Sequence, residues 1–237
     1  RTRFAVVPAP PPRNRGGAGG TTCVALGVAT RARSAKATAA SLPLFDILLP
    51  SLLATIDADD PAYRYQVHVG YDDDDPFWSR PTKLARARAL GAEKTAGLPV
   101  TLNFTTHGGM KGAPCHVWSA LQQQACASGC EYFFQLNDDI ELVTPGWADE
   151  FVGALQENSY LRNFGITGPR DTNNARLMTQ SFAHCTHGDI FGYYYPPHFR
   201  NWYSDDWATQ AYGGRNTFWR KDIEVSHELA HQGPRYA

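Results

Sequence analysis

The chain has 237 residues, 43% of them hydrophobic and 19% charged, which provides for one sizeable globular core and excludes a disordered or fibrous chain. Twenty-two basic against 23 acidic side chains leave a net charge of −1, so no overall field recruits nucleic acid or an anionic membrane. An anionic ligand has to be held locally.

Taken in chain order, residues 1–21 are rich in proline and glycine (Pro10, Pro11, Pro12, then Gly16, Gly17, Gly19, Gly20) and read as a linker or stalk. The opening Arg1 to Ala5 lacks the apolar core of a signal peptide and the chain does not start with Met, so the numbering is expected to begin inside a longer precursor. Cys23 to Thr30 is a nearly continuous apolar run, which suits a parallel strand buried on both faces; Arg31, Arg33 and Ser34 end it. Leu44 to Ile56 has helical periodicity. The apolar run that contains it, Leu42 to Ile56, is broken by Pro43, Asp46, Pro50 and Ser51 and falls short of the ~20 residues that a membrane span needs.

A second strand, Tyr65 to Tyr71, runs into Asp72, Asp73, Asp74 and Asp75. Strand Val100 to Phe104, helix His116 to Ala127 closed by Gly129, and strand Tyr132 to Leu136 repeat the alternation, and Asn137-Asp138-Asp139 follows the last of these. A helix from Trp147 to Gln156 aligns Trp147, Phe151 and Leu155 on one face, and Phe164 to Gly168 is the next strand. The remainder is aromatic and histidine-rich, and Ile223 to His227 alternates as a strand. This order predicts one α/β domain over 22–237, with a mostly parallel central sheet and helices on both faces; 22–143 forms a ligand-binding first half and 144–237 a second.

Five cysteines without a CxxC pair argue against structural zinc. They leave two readings open, free buried thiols or disulfides formed in a secretory compartment. The sequon Asn103-Phe104-Thr105 leans toward the secretory pathway.

Ligands of an open α/β sheet bind beyond the carboxyl ends of its strands. Three strand ends are polar: Thr30 to Arg33, Asp72 to Asp75, and Asn137 to Glu141. A diphosphate repels nucleophiles, and its departure is helped by a hard divalent cation on carboxylate oxygens, which the turn at Asp138 and Asp139 can supply.

At these residues the sequence resembles the GT-A glycosyltransferases, especially family 2-like members, whose acidic DxD motif follows a buried strand in mid-domain. The resemblance covers about 22–236. It implies the GT-A, Rossmann-like fold and transfer of a hexose or pentose from a nucleotide sugar, most simply a UDP-sugar, to a hydroxyl of a glycan or glycoprotein. Mn²⁺ or Mg²⁺ would assist, in the Golgi lumen. By this analogy Asp139 binds the metal and Asp138 sits near the ribose or metal. Asn137 stands where the first aspartate is usual, or else the register is Asp139-Ile140-Glu141, so the ligand set stays open. Thr30, Arg31, Arg33 and Asp72 map to the nucleoside cradle.

The segment Ser181 to Gly192, the aromatic loop after it and Asp205-Asp206-Trp207 look like the family's acceptor half. There Asp205 or Asp206 would take the acceptor proton, if transfer inverts, with His198, Trp202, Tyr203 and Trp207 lining the pocket. The competing reading makes Asp205 an ordinary helix cap. A late histidine, His227 or else His231, would join the metal, and Arg235 the diphosphate.

Three other classes compete. A sugar-phosphate nucleotidyltransferase would share the fold and the metal but place its glycine-rich loop after the first strand, not before it. A decayed, non-catalytic carbohydrate-binding domain is suggested by Asn137. A calcium-binding module on Asp72 to Asp75 lacks the alternating spacing and glycine of a calcium loop.

Overall fold

The structure is a computed structural model and describes residues 20–32 and 34–228. In chain order its elements are β1 (Thr22–Thr30), α1 (Leu49–Thr55), β2 (Tyr63–Asp72), α2 (Pro81–Lys94), β3 (Val100–His107), α3 (Pro114–Ala127), β4 (Tyr132–Asn137), β5 (Ile140–Leu142), α4 (Trp147–Gln156), β6 (Ile166–Asp171), β7 (Phe182–His184), α5 (Thr186–Phe191), α6 (Ser204–Asn216) and β8 (Thr217–His227). The strands form one sheet in the order β3-β2-β1-β4-β7-β6-β8-β5. Strands β3, β2, β1 and β4 pair in parallel; β7 runs against both β4 and β6, β6 and β8 are parallel, and β5 runs against β8. Only β5 and β7 therefore oppose the common direction, which makes the sheet mostly parallel as its alternating sequence requires. This is the Rossmann-like GT-A arrangement.

The two faces of β1 divide the core. Val24, Leu26 and Val28 face a cluster that holds Leu48, Leu52, Phe134, Trp147 and Phe151, from the turn before α1, from α1, β4 and α4. Cys23, Ala25 and Ala29 face Trp118, Leu121, Phe133, Tyr194 and Tyr195 on the α3 side. Gly27 has to lack a side chain, because a Cβ there would stand 2.0 Å from the Phe133 ring. Disulfides Cys23–Cys130 and Cys126–Cys185 tie the start of β1 to the entry of β4 and the last turn of α3 to the start of α5, leaving Cys115 as a buried free thiol. Among the described residues no helix is long and apolar enough to cross a membrane.

Several element boundaries differ from the sequence expectation for local reasons. The helical segment after β1 opens as wider π-type turns over Leu44–Leu48 before α1. The widening lies directly ahead of Pro50, which has no amide hydrogen to continue the ladder. Helix α2 has no apolar stripe to announce it, since its fully buried residues are Ala87 and Gly91; Pro81 at its first turn was the available sign. Strand β6 lies at Ile166–Asp171 instead of Phe164 to Gly168, because Pro169 is accommodated at a shift in register against β8 and does not end the strand.

Candidate functional site

Strands β1, β2, β4 and β8 share a direction, so Thr30, Asp72, Asn137 and His227 arrive at one edge of the sheet. The Thr30 hydroxyl donates to Asp138 Oδ2 at 2.6 Å, a buried bond between residues 108 apart. It exists because β1 and β4 are neighbours in register, with Ala29 opposite Asn137. Arg31 donates from Nη1 to Asp72 Oδ2 at 2.6 Å and to Asp74 Oδ1 at 3.2 Å. Burial raises the Asp72 pKa while the Arg31 hydrogen bond opposes that shift. Asp75 is a turn former: its carboxylate accepts the amides of Ala32, Phe77 and Trp78, each at 2.8 Å. Asp73 and Asp74 are exposed, and Lys111 reaches Asp74 at 3.0 Å.

Asp139 and His227 meet although 88 residues separate them: His227 Nε2 lies 3.1 Å from Asp139 Oδ1. The short strand β5 explains the encounter. It starts directly after Asp139 and pairs antiparallel with β8, setting Ile140 opposite His227, and the Glu228 amide donates to the Asp139 carbonyl at 3.0 Å. Glu141, the acid of the alternative register, is exposed and stands opposite Ser226. Asp138 and Asp139 are almost fully buried. Two neighbouring carboxylates at one end of the sheet repel a diphosphate unless a cation joins it.

The donors suit that cation. A carboxylate with an imidazole, next to a second carboxylate, fits a divalent ion whose remaining positions are taken by phosphate oxygens and water. No group of three or more His, Cys, Asp or Glu side chains arranged to hold a metal by themselves is present among the described residues, so a ligand or water would have to complete the shell.

The second half of the site is built on α6. Helix α3 begins at the edge where β3 ends, and its first turn carries Cys115, whose amide donates to the Arg200 carbonyl at 3.1 Å. Asp205 lies in this neighbourhood: its charge acts on Cys115, Tyr194 and Tyr195, while Ser204 hydrogen-bonds the Cys115 thiol. Asp205 is in the first turn of α6 and makes no capping bond, since the cap position is Tyr203. Burial, and then the charge of Asp206, raise the Asp205 carboxyl from 3.8 to about 7.

Trp202 and Tyr203 precede it, 75% and 74% exposed, and Tyr203 has a left-handed backbone with φ 66°. Both rings are open to solvent and stand three and two residues ahead of Asp205 in the chain. His198 is exposed with its ring against Phe199. Trp207 is half-buried among His187, Phe191, Tyr193, Tyr195 and Phe199, so it is largely a packing residue. Gln135 accepts the Tyr195 hydroxyl at 3.0 Å, which ties the aromatic loop to β4, and Trp118 of α3 donates to the Leu136 carbonyl at 3.0 Å.

Arg33, His231 and Arg235 lie outside the described residues. Two residues that pattern reading did not single out touch the site. Lys111 comes from the loop after β3, whose Gly108-Gly109 and Gly112 were a legible sign of an irregular ligand-side loop. Asn173 donates from Nδ2 to the His227 carbonyl at 2.9 Å, while its own amide is held at 2.9 Å by buried Asp171. Nothing in the local pattern announces that contact.

No protein family model and no curated protein sequence matches the chain. Solved structures do. TarS of S. aureus is similar with a TM-score of 0.54 and 12% identity over 87% of this chain, which spans 36% of the length of that protein. A cytidylyltransferase from Leptospira borgpetersenii matches with a TM-score of 0.51 and 10% identity over 85% of this chain and 76% of the other. A protein from Desulfovibrio desulfuricans described as a nucleotide-diphospho-sugar transferase matches with a TM-score of 0.50 and 11% identity over 87% and 82%. At such identities the likeness establishes the fold, and that fold is the GT-A type shared by nucleotide-sugar transferases.

Proposed function

We propose that the chain is a metal-assisted glycosyltransferase that moves a hexose or pentose from a nucleoside diphosphate, UDP first among them, to a hydroxyl of a glycan or glycoprotein. The observation that carries this reading is the meeting of Asp139 and His227 beside the Thr30–Asp138 and Arg31–Asp72 pairs, at the edge where Asp205 also lies. Asp139 and His227, with Asp138 next to them, would hold Mn²⁺ or Mg²⁺, which supplies charge neutralisation for the leaving diphosphate. Asp72, kept in place by Arg31, is aimed to accept hydrogen bonds from a ribose hydroxyl or the base, and Thr30 fixes the Asp138 carboxylate. Trp202 and Tyr203 offer flat apolar faces for the C–H surface of an acceptor sugar. Asp205, with a pKa of about 7, is matched to remove the acceptor hydroxyl proton as that oxygen attacks the anomeric carbon with inversion. The two disulfides support an oxidising compartment, the Golgi lumen in this reading.

The cytidylyltransferase neighbour favours a second reading, attack of a sugar phosphate on a nucleoside triphosphate. The segment directly after β1, Arg31 to Ser34, contains no glycine and so no glycine-rich phosphate loop, which supports the first. One experiment separates them. The chain with Mn²⁺ and a panel of nucleotide sugars should release nucleoside diphosphate when glycan acceptors are added. Pyrophosphate release from a nucleoside triphosphate plus a sugar phosphate, without the former activity, would establish the second. Absence of both, with no calorimetric binding of UDP and Mn²⁺, would mean a non-catalytic domain.

A further inference from the structure

The sequon Asn103-Phe104-Thr105 takes no part in the site above. Among the asparagines of the sequence, Asn103 is the one followed by a non-proline residue and then Ser or Thr. The fold places it on β3, the terminal strand of the sheet. Alternation along β3 sends Leu102 and Phe104 to one face, where Leu102 packs near Gly91 of α2 and Phe104 meets Trp78. Asn103 and Thr105 take the other face, where the Thr105 hydroxyl reaches Gln124 of α3 at 3.3 Å. Helix α3 packs on β1, β2 and β4, so Asn103 stands exposed beside it at the rim. No described strand covers the outer side of β3, and an open strand edge is a template for pairing with another chain.

We propose that Asn103 carries an N-linked glycan that shields this open edge. Asn103 Nδ2 displaces the lipid diphosphate from the anomeric carbon of a lipid-linked oligosaccharide, under catalysis by the compartment's own oligosaccharyltransferase. The C–N bond forms, the C–O bond to the diphosphate breaks, and the amide loses a proton. Position and chemistry agree. The register sets His107 opposite Asp72, so Asn103, four residues earlier, lies ~13 Å back from the nucleotide edge at ~3.3 Å per residue. A glycan there leaves the candidate site open. The bulky group also does at β3 what charge or proline does on other sheet edges.

The proposal rests on the secretory-compartment part of the functional reading, and its test reports on the two separately. The protein purified from its own cells would be digested with peptide-N-glycanase in heavy-oxygen water and mapped by mass spectrometry, with cysteine pairing read from the same peptides. A heavy-oxygen label at position 103 is the expected result. The gel shift on glycanase treatment should be lost in both N103Q and T105A expressed in a eukaryotic secretory host, and kept in T105S. Formed Cys23–Cys130 and Cys126–Cys185 bridges with an unmodified Asn103 would overturn the glycan and leave the compartment standing. Reduced cysteines together with unmodified Asn103 would overturn the compartment, and the glycan with it.

Discussion

Asp205→Asn tests the proposed chemistry and the physics behind it in one variant. Asparagine keeps the size of the side chain and removes its charge. The folded protein holds the carboxyl at about 7 against an ordinary 3.8. At ~1.4 kcal/mol per pH unit this interval corresponds to roughly 4 kcal/mol of cost for keeping Asp205 ionised in the fold. The carboxylate is half-buried, and solvent screening reduces the expected effect to ~1–2 kcal/mol. The sign follows from linkage. Below about pH 3.8 the group is protonated in both states and contributes nothing. Between there and about 7 the unfolded chain ionises first, which favours unfolding. Above about 7 the cost is complete and constant.

The variant should therefore be more stable than wild type near pH 8, by ~2–8 °C in Tm at ~2–4 °C per kcal/mol, and nearly equal to it near pH 3, below the ordinary carboxyl value. Its transferase rate should fall by ~10²-fold or more, as loss of a general base requires. Thermal unfolding at the two pH values, with initial rates on the same preparations, measures both. A variant that is fully active, or whose stability difference does not grow with pH, would refute the assignment of Asp205 as a half-buried base whose ionisation the fold disfavours.

Three further outcomes are expected. Asp139→Asn and His227→Ala should each weaken Mn²⁺ binding in the presence of UDP by ~10-fold or more by calorimetry, while far-UV circular dichroism stays native. Wild-type kcat/KM should rise through an acidic limb near pH 7, and Asp206→Asn, by removing the neighbouring charge that helps raise Asp205, should move that limb to lower pH in a pH–rate profile. Gly27→Ala should destabilise by ~3 kcal/mol or more in denaturant unfolding, since its Cβ would meet Phe133 at 2.0 Å, and Phe133→Leu in the same chain should recover part of the loss.

Where a single strand or helix face carries the information, the sequence discloses it. Trp147, Phe151 and Leu155 announce α4 because one helical stripe has to meet one core, and the apolar runs of β1 and β4 announce buried parallel strands. The acids after β2 and β4 were legible as site candidates for the same reason: they end strands whose direction follows from the alternation. What stays hidden depends on partners remote in the chain. Asp75 reads like Asp72 in the sequence, yet one caps a turn by accepting three amides and the other faces Arg31. Cys126 sits one helical turn from Cys130 but bonds to Cys185, because the last turn of α3 faces the start of α5. His227 becomes a neighbour of Asp139 only through β5, three residues too short to show any periodicity. The candidate metal centre is thus a product of topology. Its two donors are brought together by an antiparallel strand at the far edge of a mostly parallel sheet, so a change in the Ile140–Leu142 pairing would dismantle the centre without touching either donor.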